Sequence, residues 1–276
     1  MQAARLISFL RAHRSVIRVE ITRVRGSSPR EVGADMYVSA SGIEGTIGGG
    51  QLEYMALDEA RKLLKNGGKY ARMDVPLGPE IGQCCGGRVE ISLTLLDAAT
   101  RADATARARA ENRARPHVYI FGAGHVGRAL ADLFQHLPVR CVLVDSRAQE
   151  LGLSQAQVEK RLTPLPEAEL RAAPGGSAFV VLTHDHALDF LLSAEALQRG
   201  DAAWVGMIGS ATKRAKFTSF ARRNCDGLTT DALICPIGAS GSRDKRPAVI
   251  AAAVVAEVIA ALTSETTAQS PERAMP

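Results

Sequence analysis

Residues 117–137, HVYIFGAGHVGRALADLFQHL, contain the pattern that decides the fold. An apolar strand leads into the spacing Gly122-x-Gly124-x-x-Gly127, which opens a helix, and the next apolar segment ends at Asp145. In this context the glycines allow a tight turn and a close backbone approach to a phosphate, which the positive end of the helix stabilises. The pattern predicts a phosphate-bearing ligand, with Asp145 placed to hydrogen-bond a ribose hydroxyl. A domain of the same fold whose turn holds no nucleotide would show the same pattern.

Further apolar strands lie at residues 177–183 and 202–209, and a helical pattern follows each of them. Alternating strands and helices are typical of a parallel sheet covered on both faces. We therefore expect an α/β protein in which a Rossmann-like parallel sheet domain occupies residues 116–245. A C-terminal helix over 246–264 and a disordered tail over 265–276 are predicted to follow.

The first 97 residues have a different pattern. Apolar and polar residues alternate from Ile17 to Ile21, as in a half-buried strand, and helical spacing appears between residues 51 and 68. Short strand patterns recur up to residue 97, so this region predicts a small α+β domain. The polar, alanine- and arginine-rich stretch 98–115 is interpreted as the linker between the two domains.

Composition limits the classes of function. The chain carries a formal charge of +5, yet no aromatic residues interleave with its arginine-rich stretch, which argues against nucleic-acid binding. The N-terminus has no apolar signal region, and the run at 248–262 is too short to span a bilayer, so we expect a cytoplasmic protein without a membrane partner. Five cysteines in such a compartment argue against a disulfide framework.

Two of these cysteines are adjacent in the segment 82–89, GQCCGGRV. Neighbouring Cα atoms are about 3.8 Å apart, which is short for a disulfide, so Cys84 and Cys85 are interpreted as thiols. Flanking glycine amides and Arg88 would lower a thiol pKa, and thiolate sulfur is a ligand for soft metals. Packing of one cysteine in the core remains the alternative. The other cysteines are interpreted as structural: Cys141, Cys225 and Cys235.

The segment 183–189, THDHALD, follows a buried strand and so lies near the carboxyl edge of the predicted sheet, where ligands of open α/β folds bind. His184 and Asp185 are candidate ligand contacts. An aspartate in this position can equally cap the next helix, and His184 with His186 could bind a metal, although the spacing matches no strong metal signature.

A similar choice arises at residues 209–217, GSATKRAKF, which open another helix. Ser210 and Lys213 form a plausible anion site, with ordinary capping as the alternative. The first domain has two loops rich in hydrogen-bond donors, 26–30 and 48–51. The second leads into a helix, so its amides could hold an oxyanion, and ordinary turn chemistry is the alternative for both.

Seven blocks of the chain, taken in order, resemble the XdhC/CoxI family over roughly residues 5–262. Such a resemblance implies a protein that binds the molybdenum cofactor, supports its sulfuration with a cysteine desulfurase and delivers it to apo xanthine dehydrogenase. It implies a homo-oligomeric insertion chaperone with no catalytic residue of its own. The blocks are GSSPREVGADM, GTIGGGQLE, GQCCGGRVE, FGAGHVG, THDHALD, WVGMIGSATKR and CPIGASGS.

The cofactor is expected as molybdopterin or as its dinucleotide form. We expect its phosphate or pyrophosphate at Gly122 to Gly127 and its molybdenum end toward Cys84 and Cys85, which would be the metal ligands, across the domain cleft. The loop at 238–246, GASGSRDKR, departs from the family pattern, which puts an inherited ligand contact there in question. The remaining cofactor contacts expected are Gly124, His125, Asp145, His184, Asp185, Ser210 and Lys213.

Two other functions agree with parts of the sequence. An NAD-dependent oxidoreductase would use the glycine turn with Asp145, and His125, His184 or His186 would donate the proton. A sulfurtransferase or nucleotidyltransferase acting on the pterin cofactor would carry a persulfide on Cys84 or Cys85. The oxidoreductase leaves the cysteine pair without a role.

Overall fold

The structure is a computed structural model, and two compact units make up the chain, residues 1–114 and 115–276. Among the described residues, no helix combines the length and the hydropathy that crossing a membrane requires. In the last helix, side chains are described as far as residue 263. The residues that the structure describes are 3–79, 86–239, 242 and 244–268.

The first unit contains an antiparallel sheet of five strands in the order β3-β2-β1-β5-β4. Ile17, Val19 and Ile21 on β1 are buried, as their alternation with polar residues predicts, and helix α2 packs on this face through Leu52 and Ala56. The strands are β1 (Ile17–Arg25), β2 (Asp35–Val38), β3 (Ile43–Gly45), β4 (Tyr70–Pro76) and β5 (Arg88–Leu95). The helices are α1 (Ala3–Ala12), α2 (Gly50–Lys65) and α3 (Ala98–Arg113).

The prediction of a linker over 98–115 is wrong for most of that stretch, because residues 98–113 form helix α3. Asp97 and Thr100 form a capping box that starts the helix, and alanine and arginine both favour helix. Ala104 and Ala108, four residues apart and therefore on one face, are buried against α1. The stretch is thus part of the first unit.

One arginine of α3 also holds the end of α1. The guanidinium of Arg101 donates hydrogen bonds to the backbone oxygens of Leu10, His13 and Arg14 at 2.8, 3.0 and 2.7 Å. These carbonyls belong to the last turn of α1 and the residues just after it, where intrahelical donors run out. The arginine-rich stretch that was interpreted as a linker therefore contains a structural contact.

The second unit is a six-stranded parallel sheet in the order β11-β10-β9-β6-β7-β8. This confirms the predicted fold class, a Rossmann-like sheet preceded by a small α+β unit. Strands β8 and β11 were not predicted. The strands are β6 (His117–Phe121), β7 (Arg140–Asp145), β8 (Glu159–Leu162), β9 (Ala178–Val181), β10 (Trp204–Met207) and β11 (Leu233–Ile234).

Helices cover both faces of this sheet and build two apolar cores. The last helix, α9, packs against α4 and buries Ala251, Val254 and Val258. It runs to Ala268, beyond the predicted end at 264, whereas the remainder of the predicted tail, 269–276, lies outside the described residues. The helices are α4 (His125–Phe134), α5 (Ala148–Gly152), α6 (Pro166–Ala172), α7 (His186–Gln198), α8 (Ala211–Asn224) and α9 (Pro247–Ala268).

Replacing Arg101 with alanine should destabilise the protein, because the carbonyls at the end of α1 lose a charged donor. We expect Arg101→Ala to lower the free energy of unfolding by about 1–3 kcal/mol, measured by urea denaturation. Arg109→Ala, an exposed position on the same helix, is the control and should change it by less than about 0.5 kcal/mol. Equal effects of the two substitutions would contradict this role of Arg101.

Candidate functional site

The strand order places a crevice at the carboxyl end of the second sheet. From β6 the chain adds β7 and β8 on one side of the sheet, and then returns to add β9, β10 and β11 on the other side of β6. The strand order therefore reverses between the neighbouring strands β6 and β9. Ligands of open α/β sheets bind at such a switch point. The loops that flank it are those following β6 and β9, which contain the glycine turn and the histidine pair.

The three glycines of the turn have different structural roles. A Cβ on Gly122, which has a φ of +121°, would lie 2.3 Å from the backbone oxygen of Leu182 in the loop after β9. A Cβ on Gly127 would lie 1.8 Å from the oxygen of Gly122, so this residue lets α4 start close to the turn. A Cβ on Gly124 would meet no atom within 4 Å. Gly124 therefore borders open space.

Helix α4 begins at this open position. Gly124 is its N-cap and provides no side-chain cap, and His125 in the first turn is exposed. The N-terminal backbone N–H groups of a helix carry partial positive charge and favour a bound anion. The turn can thus hold a phosphate group, with Gly124 leaving room for its approach.

Asp145 lies at the end of β7 beside the turn, and its side chain is only 3% exposed. Its Oδ2 accepts hydrogen bonds from the Ala123 N–H at 2.7 Å and from Arg147 Nη2 at 2.9 Å. Its Oδ1 accepts from the Arg147 N–H at 2.9 Å and from Arg147 Nε at 3.0 Å. Burial alone would raise the pKa of Asp145, but the hydrogen bonds from Arg147 and Ala123 bring it below its ordinary value. A ribose hydroxyl would have to replace one of these donors.

Two carboxylates, one in the loop after β9 and one in the first turn of α7, form hydrogen bonds within the protein. Asp185 caps α7 by accepting a hydrogen bond from the Ala187 N–H at 2.8 Å, which is the capping alternative that the sequence left open. The buried Asp189 accepts hydrogen bonds from the N–H and hydroxyl of Thr183 at 2.8 and 2.7 Å, and so fixes the shape of the loop. Within the described part of the chain, no three His, Cys, Asp or Glu side chains are grouped to hold a metal.

The start of α8 completes the other wall of the crevice. Ser210 caps α8 by accepting a hydrogen bond from the Lys213 N–H at 3.3 Å. Lys213 Nζ donates to Asp189 Oδ2 at 2.5 Å, and its side chain is only 11% exposed. The positive charge predicted to serve an anion site is therefore already balanced by Asp189.

Two spaces of different size meet at the exposed His184. A cavity of about 40 Å³ lies on the β7 side, where Gly122 and Asp145 contribute to its walls. A groove of about 350 Å³ lies on the β10 side, where Ser210 and Lys213 line it. The structure thus brings the predicted residues Gly122, Asp145, His184, Ser210 and Lys213 around one crevice, with Gly124 and His125 at the start of the adjoining helix.

In the first unit, glycine-rich segments far apart in sequence lie together. A Cβ on Gly87 would be 2.0 Å from the oxygen of Ser27, and a Cβ on Gly48 would be 2.7 Å from Cγ of Pro29. Gly86 and Ser27 also form an isolated bridge. The loop 26–30 therefore packs against both of the other glycine segments, which identifies a second candidate region at one end of this unit.

The amides of this region are largely used by the protein itself. The carboxylate of Glu53, in the first turn of α2, accepts hydrogen bonds from the Ile47 and Gly49 N–H groups at 3.2 and 3.1 Å. The loop at 48–51 thus follows the turn alternative rather than forming an open oxyanion cradle. Arg88 forms a bidentate pair with Asp74 at 2.6 and 3.0 Å, and its effect on a thiol pKa stays a prediction.

Cys84 and Cys85 lie outside the described residues, and their roles stay predictions. The segment that contains them is closed at its base, because the Gly86 N–H donates to Leu77 O at 2.8 Å and the Leu77 N–H donates to Gly87 O at 2.7 Å. Of the other cysteines, Cys141 is buried, and this burial raises its pKa to about 12. Such a thiol is inert, as the structural interpretation of Cys141 predicts.

Sequence reasoning missed the residues that neutralise the site. Arg147 lies two positions after Asp145, the acidic residue that ends the second strand of the Rossmann-like sheet. This short spacing could have indicated an ion pair between the two side chains. The pairing of Lys213 with Asp189, by contrast, joins positions 24 apart and had no local sequence signal.

Two family models match this chain. Residues 118–258 match the model of the XdhC Rossmann domain, and residues 9–74 match that of the XdhC and CoxI family. The uncharacterized protein YqeB of Escherichia coli K12 is 27% identical over an alignment of 256 positions, which covers 87% of this chain but only 42% of that protein. A Bacillus halodurans structure described as a xanthine dehydrogenase aligns with a TM-score of 0.79 at 18% identity, covering 98% of both chains, and shows the same fold.

The glycines of the turn should respond differently to substitution. We expect Gly127→Ala to lower the free energy of unfolding by about 1–3 kcal/mol or more, because the new methyl group overlaps the oxygen of Gly122. Gly124→Ala should change it by less than about 0.5 kcal/mol, since its φ of −65° suits any residue and its surroundings are open. Urea denaturation measures both, and equal stabilities of the two variants would contradict the assignment.

The lowered pKa of Asp145 predicts a pH dependence of stability. Above about pH 4, the ordinary carboxyl pKa, the charged Asp145 contributes fully, and its contribution is lost as the pH falls through the lower folded-state pKa. The difference in unfolding free energy between the wild type and Asp145→Asn should therefore be large at pH 7 and smaller at pH 3. The exposed Asp132→Asn serves as the control. A difference for Asp145 that does not change with pH would disprove this.

Proposed function

The chain belongs to the XdhC and CoxI family, and from this premise we propose that it is an accessory protein of xanthine dehydrogenase maturation that binds and delivers the molybdenum cofactor. In this proposal a cysteine desulfurase supports sulfuration of the bound cofactor, and apo xanthine dehydrogenase receives it. The protein acts as a chaperone, and association of several copies is part of the proposal.

The observation that carries the proposal is the open glycine turn at the switch point. The cofactor is a pterin with a phosphate group and a dithiolene that binds molybdenum. The N-terminus of α4 offers backbone donors to that phosphate, and the space at Gly124 lets it approach. The adjacent groove of about 350 Å³ falls within the usual size range of a small-molecule site, about 300–1,000 Å³. The residues present therefore fit the phosphate end of the cofactor.

The molybdenum end needs softer donors. Cys141 is too buried to ligate, and burial raises the pKa of Cys235 as well, so neither is suited to provide a thiolate. We assign this role to Cys84 and Cys85, whose segment ends at Gly86, which forms a bridge with Ser27, and at the tightly packed Gly87. When bound, the cofactor would supply a sulfur-accepting molybdenum centre, and the protein's own part is to hold it and exclude water until transfer.

The oxidoreductase alternative has less support from the site. Dinucleotide-dependent enzymes of this fold hydrogen-bond a ribose hydroxyl through the acidic residue after the second strand. Here that residue, Asp145, already accepts four hydrogen bonds from Ala123 and Arg147. At Gly124, where the phosphate is proposed to bind, a Cβ would meet no described atom within 4 Å.

The proposal is tested by the ligand content of the purified protein. We expect a pterin to copurify from a host that makes the molybdenum cofactor and none from a host that cannot. Gly124→Val should reduce the retained pterin at least about tenfold, because its side chain fills the space at the helix N-terminus. Gly152→Val is the matched control, since a Cβ there also meets no atom within 4 Å, and it should retain the pterin.

Absence of pterin from the wild-type protein in the competent host would overturn the proposal. The role of the cysteines is measured separately, by the activation of apo xanthine dehydrogenase with the doubly substituted Cys84→Ala, Cys85→Ala protein. Activation equal to that by the wild type would remove the cysteines from the proposal and leave the phosphate site standing.

A further inference from the structure

We propose that Arg147 closes the nucleoside half of the switch-point crevice, so that the site accepts a compact phosphate monoester and excludes dinucleotides. This inference rests on the proposed function and narrows its ligand class. It concerns one side of the crevice, between β6 and β7, where a Rossmann-like site that binds a dinucleotide would hold the first nucleoside.

The first observation is the occupation of Asp145. A carboxylate has about four lone-pair positions, two on each oxygen. Oδ1 receives two donors from Arg147, and Oδ2 receives one from Arg147 and one from the Ala123 N–H, at distances between 2.7 and 3.0 Å. Three of the four donors come from Arg147. The hydroxyl groups of a ribose consequently find no free acceptor on Asp145 unless Arg147 moves away.

Two guanidinium nitrogens of Arg147 already donate to Asp145 and are not free to bind a ribose hydroxyl. The Arg147 guanidinium faces Asp145 with both Nε and Nη2, which is the bidentate geometry that fixes an arginine firmly. The Arg147 side chain is 37% exposed and that of Asp145 is 3% exposed. The arginine therefore covers the carboxylate, and a ligand arriving from solvent meets the arginine first.

The second observation is the difference in space on the two sides of His184. The cavity beside Asp145 measures about 40 Å³, and its walls include Pro164, Pro166 and Leu188. The groove on the β10 side measures about 350 Å³, so the β7 side offers far less space than the β10 side. A ligand with its phosphate at the α4 N-terminus can thus extend its body toward β10 with less displacement of side chains than toward β7.

The two observations together define the chemistry of the ligand. It carries a terminal phosphate for the backbone donors near Gly124, and its fused-ring body lies along the groove lined by Thr183, His186 and Ser210. A second nucleotide attached through a pyrophosphate would have to displace Arg147 from Asp145 on the β7 side, where only the small cavity is present. Of the two cofactor forms expected from the sequence, this favours molybdopterin itself over the dinucleotide form.

The experiment measures nucleotide binding by isothermal titration calorimetry with NAD, NADP and ADP-ribose as probes, using protein from a host that makes no molybdenum cofactor. The wild type should bind none of the three more tightly than about 1 mM. Arg147→Ala removes the two guanidinium donors to Asp145 and keeps the backbone N–H donor, so it frees two acceptor positions. It should bind ADP-ribose at least about tenfold more tightly, the effect expected of one charge-assisted hydrogen bond.

Arg140→Ala is the matched control. Arg140 begins β7, at the opposite end of the strand from Asp145, forms an ion pair with Glu159 at 3.4 Å and has a side chain that is 40% exposed. It should leave ADP-ribose binding at the wild-type level. Arg147→Lys, which keeps the charge but loses the bidentate fork, should give an intermediate gain and provides a second variant if the alanine protein does not fold.

Micromolar binding of NAD or ADP-ribose by the wild type would overturn the inference, because Asp145 would then be available. So would micromolar binding of NADP, since its 2′-phosphate would be using Arg147 as a partner instead of being excluded by it. Failure of both Arg147 variants to exceed Arg140→Ala would overturn it as well. Loss of pterin retention with this nucleotide pattern intact would contradict the proposed function alone.

Discussion

The close approach of backbone to backbone at Gly122 is the constraint on which the second unit depends. Any side chain at this position would meet the oxygen of Leu182, and any side chain at Gly127 would meet the oxygen of Gly122. Without these side chains, β6, the loop after β9 and the start of α4 can lie within contact of one another. The N-terminus of α4 consequently opens onto the switch-point crevice, and the candidate phosphate site follows from that geometry.

Charges around this crevice are mostly balanced by the protein itself. Asp145 is held by Arg147, and the buried Asp189 is held by Lys213. Because an unpaired buried charge is costly, these pairings preserve the loops in one conformation, and they also reduce the number of groups free to bind a ligand. By contrast, the N-cap Gly124 provides no side-chain cap to the donors of α4. In the proposed site, the choice of ligand therefore depends on the pairing of Asp145 and Lys213 with other side chains as well as on the free backbone donors of α4.

The first unit shows how loop packing can bring motifs together. The loop 26–30 contacts Gly48 and Gly87, which are 39 positions apart in the chain. Strand β1 is antiparallel to β5, so the loop that follows β1 lies at the same end of the sheet as Gly87, which directly precedes β5. Strand β3 is antiparallel to β2 and therefore runs in the same direction as β1, so the segment after β3 that contains Gly48 reaches this end as well. Gly86 and Gly87, at the base of the cysteine segment, contact Ser27 in the loop 26–30. This loop packs in turn against Gly48, whose neighbours Ile47 and Gly49 donate hydrogen bonds to Glu53.

The sequence by itself determined the Rossmann-like sheet, the small α+β unit before it and the glycine turn, because these depend on local periodicity and on residues without a Cβ. It also identified the family through motifs spread along the chain. Only the tertiary structure decided that residues 98–113 are a packed helix, since the buried faces of Ala104 and Ala108 need α1 as a partner. Tertiary contacts likewise decided that Lys213 forms an ion pair with Asp189. Ion pairs between residues distant in sequence form only once strands and helices have packed, so the periodicity of the sequence does not predict them.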